Sequence, residues 1–340
     1  MNQPVAGTAP SPQRFFDVVH AFQRTAALKG AIDLDLFTAI GGGAGTIEEL
    51  ADRCRASQRG IRILCDYMVI LGFVTKESGE YALTADAAAF LDRRSPMCLA
   101  GTTEFLLSPT ILESFRDVAA AVRKGGSVAP GEGSLAPSHA MWIDFAKAMT
   151  PMMTPMAEQI AGLLDAGSKL KMKVLDIAAG HGIYGITLAK RNPNAEIVAV
   201  DWPNVLEVAK ENAEAAGVAK RHRALPGSAF DVKFGDGYNA VLLTNFLHHF
   251  DAPTCEKLLK KIHAALAPGG RVVTVEFIPN DDRVTPAESA GFALTMLVAT
   301  PAGDAYTFKE LERMFKNAGF TGSELHRLPP LINAVVISKK

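Results

Sequence analysis

The chain has 340 residues, 48% hydrophobic and 21% charged, and its 35 Lys and Arg against 36 Asp and Glu leave a formal net charge of -1. This length favours two domains, and near-neutrality removes the electrostatic footprint of a nucleic-acid or anionic-membrane binder. No apolar run reaches the ~18 residues that span a bilayer, no signal-peptide core follows the Pro-rich start Met1–Pro12, and Cys54, Cys65, Cys98 and Cys255 lack C-x-x-C spacing, so a cytoplasmic chain with reduced, structural thiols is expected.

Between about Phe15 and Leu91 apolar residues recur at helical spacing, in Ala31-Ile-Asp-Leu-Asp-Leu-Phe37 and in Ile61-Arg-Ile-Leu-Cys-Asp-Tyr-Met-Val-Ile-Leu71. Thr46-Ile-Glu-Glu49 is a capping box that opens a short helix, and Ser57 caps the next. Gly72-Phe-Val-Thr75 then leads into a small hairpin, Lys76–Leu83, around Gly79. Helix, helix and hairpin make a mostly helical, winged-helix domain over residues 1–95. A winged helix can read DNA, but residues 1–90 carry eight Lys or Arg against ten Asp or Glu, and the helix after Ser57 is mostly apolar. That composition favours a protein contact over a phosphate backbone.

Residues 96–165 read as a helical linker, broken by Gly125-Gly-Ser-Val-Ala-Pro-Gly-Glu-Gly-Ser134. Trp142, Phe145, Met149, Met152, Met153 and Met156 then recur on helical spacing, a stripe that core packing ordinarily explains.

From Lys173 strands alternate with helices, at 173–178, 196–201, about 221–225, 239–245, 271–278 and 332–338. Residues 166–340 are therefore expected to form an α/β, Rossmann-like, doubly wound sheet, mainly parallel, with ligands at the carboxyl ends of its strands. In Val174-Leu-Asp-Ile-Ala-Ala-Gly-His-Gly-Ile-Tyr-Gly185 a buried strand runs into a glycine-rich turn that opens a helix near Tyr184. Gly180 and Gly182 let the backbone approach a ligand, and the helix points free N–H groups at it. Ile197-Val-Ala-Val-Asp201 is a second buried strand, ending 25 residues after Asp176 in an acid suited to both ribose hydroxyls. Together they predict an adenosine-containing ligand. Position 178 is not the Gly that the dinucleotide fingerprint needs, and no G-x-x-x-x-G-K-[ST] loop occurs. An adenosine ligand without phosphate fits better, and S-adenosylmethionine is the common one.

Asp176-Ile-Ala-Ala-Gly-His-Gly182, Asp201-Trp-Pro-Asn-Val205, Gly227-Ser-Ala-Phe230, Phe246-Leu-His-His-Phe250 and Ala267-Pro-Gly-Gly270 follow in an order that resembles the caffeic-acid type small-molecule O-methyltransferases, bacterial natural-product enzymes included. The resemblance covers nearly the whole chain, and its D-x-P-x-V segment is more selective than the glycine loop. It implies a homodimer held by the N-terminal domain and contacts to S-adenosylmethionine from Gly180, the His181 backbone, Gly182, Asp201, Trp202, Gly227, Ser228, Phe230, Thr244 and Asn245. Ser228 stands where the family usually has an acid for the adenine amino group, and Thr244 where plant members carry a lysine. Trp142, Phe145, Met149, Met152, Phe292 and Met296 would line the pocket of a small hydroxylated acceptor.

Methyl transfer needs a nucleophile. A phenol of pKa ~10 is about one part in a thousand ionised at pH 7, a deficit of about 4 kcal/mol that a general base can largely recover. His248 matches the family's catalytic histidine, and imidazoles titrate near neutrality. Glu276, which ends Val273-Thr-Val-Glu276, matches one of two acids that flank it; Ala305 stands in the segment of the second, with Asp304 beside it. His249 is expected to be a surface or capping residue, because adjacent side chains diverge. Asp281-Asp282 reads as a solvated loop, so no metal is expected. Methylation at ring carbon, and a non-catalytic cofactor-binding regulator, remain the rival readings.

Overall fold

The computed structural model describes residues 10–130 and 140–340, and the chain divides into two compact units, Met1–Thr103 and Glu104–Lys340. The first contains α1 (Gln13–Val19), α2 (Ala21–Asp33), α3 (Leu36–Gly41), α4 (Ile47–Arg53), α5 (Gln58–Ile70), the hairpin strands β1 (Val74–Glu77) and β2 (Glu80–Leu83), and α6 (Ala85–Phe90). Thr46 Oγ1 accepts the Glu49 N–H while the Glu49 carboxylate accepts the Thr46 N–H, and Ser57 Oγ accepts the Gly60 N–H, so both expected helix starts form. The hairpin pairs Val74 with Leu83 and Glu77 with Glu80, and turns on Ser78 and Gly79, both at positive φ. Leu36, Phe37, Leu50, Ile61 and Met68 fill its core. Helix α1 buries nothing: Phe15 and Val18 are 64% and 70% exposed.

The second unit begins within α7 (Thr103–Leu106), followed by α8 (Pro109–Ser114), α9 (Val118–Lys124) and α10 (Met141–Leu163). Residues 131–134 of the expected glycine-rich break lie outside the described residues. Two prolines, Pro151 and Pro155, sit inside α10 and each removes a helical hydrogen bond. Nearby hydroxyls bond back to the helix, Thr150 Oγ1 to Ala146 O at 3.0 Å and Thr154 Oγ1 to Thr150 O at 2.9 Å.

Then come β3 (Met172–Ile177), α11 (Ile183–Arg191), β4 (Ala195–Asp201), α12 (Pro203–Ala215), β5 (His222–Pro226), β6 (Tyr238–Thr244), α13 (Ala252–Ala265), β7 (Leu266–Glu276), α14 (Ala287–Ala299), α15 (Phe308–Asn317), β8 (Gly322–Arg327) and β9 (Ala334–Lys339). One seven-stranded sheet forms in the order β5-β4-β3-β6-β7-β9-β8. Its first five strands are parallel, and β9 runs antiparallel to both β7 and β8. One face, with Val174, Leu242 and Val273, packs on Ile160, Tyr184 and Leu188; the other, with Leu175, Val241 and Val272, packs on Leu259, Ile262 and Phe315. Helices thus cover both faces of a doubly wound sheet. Strand β8 was not anticipated, because Gly322-Ser-Glu-Leu-His-Arg327 has no apolar run; it is an edge strand held by β9. Strand β7 also starts earlier than expected, at Leu266, with an irregular register between Tyr238 and Ala240 of its neighbour.

From β3 the chain moves outward to β4 and β5, then returns to place β6 on the other side of β3. The carboxyl ends of β3 and β6 therefore flank the switch point where such sheets bind ligands.

Candidate active site

Beyond β3 the chain turns through Ala178, Gly180 and Gly182, at φ of 53°, 56° and 72°, into α11. A Cβ on Gly182 would press on Ala209 Cβ at 3.0 Å, so packing as well as conformation demands glycine there. At Gly180 the nearest atoms to such a Cβ are Ala178 O and Phe145 Cε1, both 3.9 Å off, leaving the loop open to a ligand's close approach. Asp201 ends β4 and braces the loop: Oδ2 accepts the Gly180 N–H at 2.8 Å and Oδ1 the Trp202 N–H at 2.7 Å. Each oxygen keeps a lone pair for a further donor. Burial pushes this carboxyl up to about 6, against the two N–H donors, which favour its charge.

His181 takes the part of a loop stabiliser. Its Nδ1 accepts the Ile183 N–H at 3.1 Å, its carbonyl accepts Asn212 Nδ2 at 2.9 Å, and its ring stacks on Phe145 at 6.2 Å. Burial pulls the imidazole down to about 4, so a neutral ring occupies the helix N–H that a phosphate would take in a dinucleotide site. These features suit an adenosyl ligand without phosphate. Beside the loop, the Gly227 N–H donates to Asp201 O at 2.9 Å, and Ser228 Oγ accepts the Phe230 N–H at 3.2 Å. Phe230 packs on Phe250 and Phe246, with ring centroids 5.0 and 6.4 Å away. Trp202 is the N-cap residue of α12 and packs with Trp142 and Ile143 against Ala146, Val205 and Val208.

On the other side of the switch point β6 ends at the buried Thr244, and Asn245, at φ 52°, starts an irregular turn that includes a 3-10 segment, Leu247–His249. Asn245 is held by Asn333 Nδ2, which donates to its Oδ1 at 3.1 Å, and its own amide reaches Met153 Sδ at 3.8 Å. Glu276 closes β7 and is buried. Its Oε1 accepts the Phe246 N–H at 3.0 Å and the Leu247 N–H at 2.8 Å, and its Oε2 meets His248 Nδ1. With the carboxylate accepting at Nδ1, the neutral imidazole carries its proton there and keeps its Nε2 lone pair. Phe292 edges onto the ring at 4.9 Å and stacks on Phe277 at 3.8 Å.

His249 is neither at the surface nor a cap: it is 9% exposed and packs on His248 and Trp142, with ring centroids 4.3 and 5.3 Å away. Burial, then its neighbour His248, holds its imidazole well below the usual range. The Asp304 carboxylate, next to the segment of the second flanking acid, is taken by other partners: its Oδ2 receives Arg283 at 3.2 Å and its Oδ1 the Ala305 N–H at 2.8 Å. Asp281 pairs with Lys309, and Asp282 accepts the Val284 and Thr285 N–H groups, so this acid pair closes a loop. Among the described residues no group of three or more His, Cys, Asp or Glu side chains could hold a metal ion.

Of the acceptor-side residues, Trp142 and Phe145 are gathered with His249 and His181 in one aromatic cluster that also takes in Phe105. Met149 lies in the main core with Met152 at its margin, and Met296 is buried in α14. Phe246 and Phe250 bound the Phe246-Leu-His-His-Phe250 motif, but nothing in the local pattern marks Asn212 or Asn333.

A doubly wound sheet, a glycine loop suited to adenosine without phosphate, and an acid closing the next strand together fit a site for an adenosyl cofactor. The O-methyltransferase domain model matches residues 134–321 and the O-methyltransferase dimerisation domain model matches residues 16–93. The chain is 28% identical, over 98% of both chains, to the 3-hydroxy-5-methyl-1-naphthoate 3-O-methyltransferase of Streptomyces sahachiroi. It is 27% identical, over 91% of both, to the tetracenomycin polyketide synthesis 8-O-methyl transferase TcmO of Streptomyces glaucescens. A crystal structure of a candidate O-methyltransferase from Nostoc punctiforme matches with a TM-score of 0.95 and 53% identity, over 98% of this chain and 100% of that one. Human N-acetylserotonin methyltransferase, solved with S-adenosylmethionine, shares the fold at a TM-score of 0.85 and 21% identity, over 99% of both chains. The chain belongs to the O-methyltransferase family, and S-adenosylmethionine is its cofactor. Among the described residues no helix is long and apolar enough to cross a membrane.

Proposed function

We propose that the chain, as a homodimer, methylates a hydroxyl of a small aromatic or polyketide-like acceptor with His248 as general base. The observation that carries this reading is the double grip of Glu276, which takes two main-chain N–H groups on one oxygen and the His248 ring on the other. Support for the acceptor class comes from the relatives named for a hydroxynaphthoate and for tetracenomycin polyketide synthesis. The dimer rests on the matched dimerisation domain.

S-adenosylmethionine supplies an electrophilic methyl group on its sulfonium. The loop at Gly180 and Gly182 would cradle it, Asp201 would accept its ribose hydroxyls, Trp202 and the Gly227–Phe230 turn would flank its adenine, and Thr244 and Asn245 would face its methionine end. Residues 1–95 would form the dimer, residues 166–340 would bind the cofactor, and the 96–165 segment would contribute Trp142, Phe145, Met149 and Met152 to the acceptor pocket, with Phe292 and Met296 from α14. Apolar and aromatic walls exclude water and sharpen the local electrostatics. His248 Nε2 would take the acceptor's hydroxyl proton, and Glu276 would balance the imidazolium so formed.

Kinetics on a hydroxynaphthoate panel test this. His248→Ala should lower kcat by about 10² to 10⁴ and leave S-adenosylhomocysteine affinity unchanged by calorimetry. Glu276→Gln should cost about as much: with the amide oxygen on the Phe246 and Leu247 N–H groups, the amide NH2 faces Nδ1, moves the ring proton to Nε2 and removes the lone pair that the base needs. Acceptors with a hydroxyl pKa below about 7 are already ionised and should be far less sensitive. Equal losses on acidic and ordinary phenols would reject His248 as the base.

A further inference from the structure

Glu276 grips the ring of His248, and a second element grips its main chain. The loop between α14 and α15 runs back to back with the Leu247–His249 turn. A Cβ on Gly303 would collide with His248 O and would lie 2.6 Å from Thr300 Oγ1 and 3.0 Å from the His249 carbonyl carbon. The Asp304 N–H donates to the same His248 carbonyl at 3.0 Å. Thr300 is fully buried and ties the loop down: its Oγ1 donates to Met296 O at 2.7 Å and accepts the Gly303 N–H at 2.8 Å. Arg283 secures the outer end, on Asp304 at 3.2 Å and on both oxygens of Glu310 at 2.6 and 2.7 Å. Helix α14 therefore meets His248 twice. Phe292 touches its ring, while Met296 holds, through Thr300 and Gly303, the loop that abuts its carbonyl.

We propose that the Thr300–Asp304 loop, with Gly303 and Thr300 as its positioning residues, sets the main-chain position of His248 and thereby the aim of Nε2; the proposal rests on the reading of His248 as the base. Among the described residues the ring has one hydrogen-bond partner, Glu276 at Nδ1, with His249 and Phe292 packed against it, so the remaining polar hold on this residue falls on its main chain. The second hold comes from behind, and only a residue without a Cβ lets the two backbones close to this distance. Displacing a catalytic group by about 1 Å costs on the order of 10²-fold in rate.

The test uses the full-length protein saturated with S-adenosylhomocysteine, with the His248 ring nitrogens followed by NMR and kcat measured on a hydroxynaphthoate. Gly303→Ala and Thr300→Val should shift the His248 ring signals and lower kcat by about 10- to 100-fold, with S-adenosylhomocysteine affinity within about twofold of wild type. Thr300→Ser keeps the hydroxyl and should restore both. Wild-type ring signals in Gly303→Ala and Thr300→Val, or a Thr300→Ser variant no better than Thr300→Val, would overturn the proposal. If Gly303→Ala fails to fold, the Thr300 pair decides. The two readings fail separately, because an undiminished kcat in His248→Ala removes the base assignment, whereas the ring signals judge the loop whatever the acceptor.

Discussion

Asp176 opens the glycine-rich stretch, yet it is fully buried: Oδ2 accepts the Gly185 N–H at 3.2 Å, and Oδ1 has no hydrogen-bond partner. Burial pushes its carboxyl from 3.8 up to about 8. A raised folded-state value means that the folded chain holds this proton more tightly than the unfolded chain. Its contribution to stability is complete below about pH 4 and is lost as the pH rises through about 8. Asp176→Asn keeps an oxygen for Gly185 and has no proton to lose. Melting temperature should therefore fall more steeply in the wild type than in the variant between about pH 6 and about pH 9, and parallel curves would refute the buried, protonated acid. Residues of this kind show how far the sequence reaches. The chain motifs point to His248 and Glu276, but not to which neighbours are buried. His249 was misplaced because side chains diverge along a strand, whereas a 3-10 turn folds both rings inward. Asn333 reaches Asn245 across 88 positions, a distance no local pattern bridges.

Among the elements, α11 depends on how closely it meets the sheet. A Cβ on Gly185 would lie 2.7 Å from Ile197 Cγ2 and 2.9 Å from Asp176 Oδ2. Alanine is the better helix former by about 1 kcal/mol, but overpacking a tight core costs about 1–3 kcal/mol and the Asp176 bond would lengthen. The clash should win, so Gly185→Ala should lower the urea midpoint; an unchanged or raised midpoint would show that α11 can ride outward at no cost. Element type was legible wherever buried apolar runs alternate with helical spacing, which is why β3, β4 and β6 fall within a residue of their expected bounds. The reading failed at β8, where strand pairing is imposed by β9 rather than by the segment's own residues.

At the scale of the molecule, the first unit displays apolar surface that a soluble protein normally covers: Phe15, Val18 and Phe22 are 64%, 70% and 67% exposed. The proposed homodimer would bury such a surface, and light scattering at micromolar concentration should give the mass of two chains. Unfolding temperature should also fall on dilution, as mass action requires of a fold stabilised by association. A monomer at that concentration, or a well-folded monomer after deletion of residues 1–90, would contradict the dimer.

Among the described residues the antiparallel strand β9 is the one link between β8 and the rest of the sheet, paired from Gly322↔Lys339 to Arg327↔Ala334 on one side and from Arg271↔Lys339 to Glu276↔Ala334 on the other. Strand β8 cannot keep its ladder once β9 has left β7, so the two open as one unit rather than fraying strand by strand. That same departure would bare the edge of β7 as far as Glu276. Amide hydrogens of β8 and β9 that exchange through this opening would thus report the free energy needed to loosen the carboxylate that holds His248.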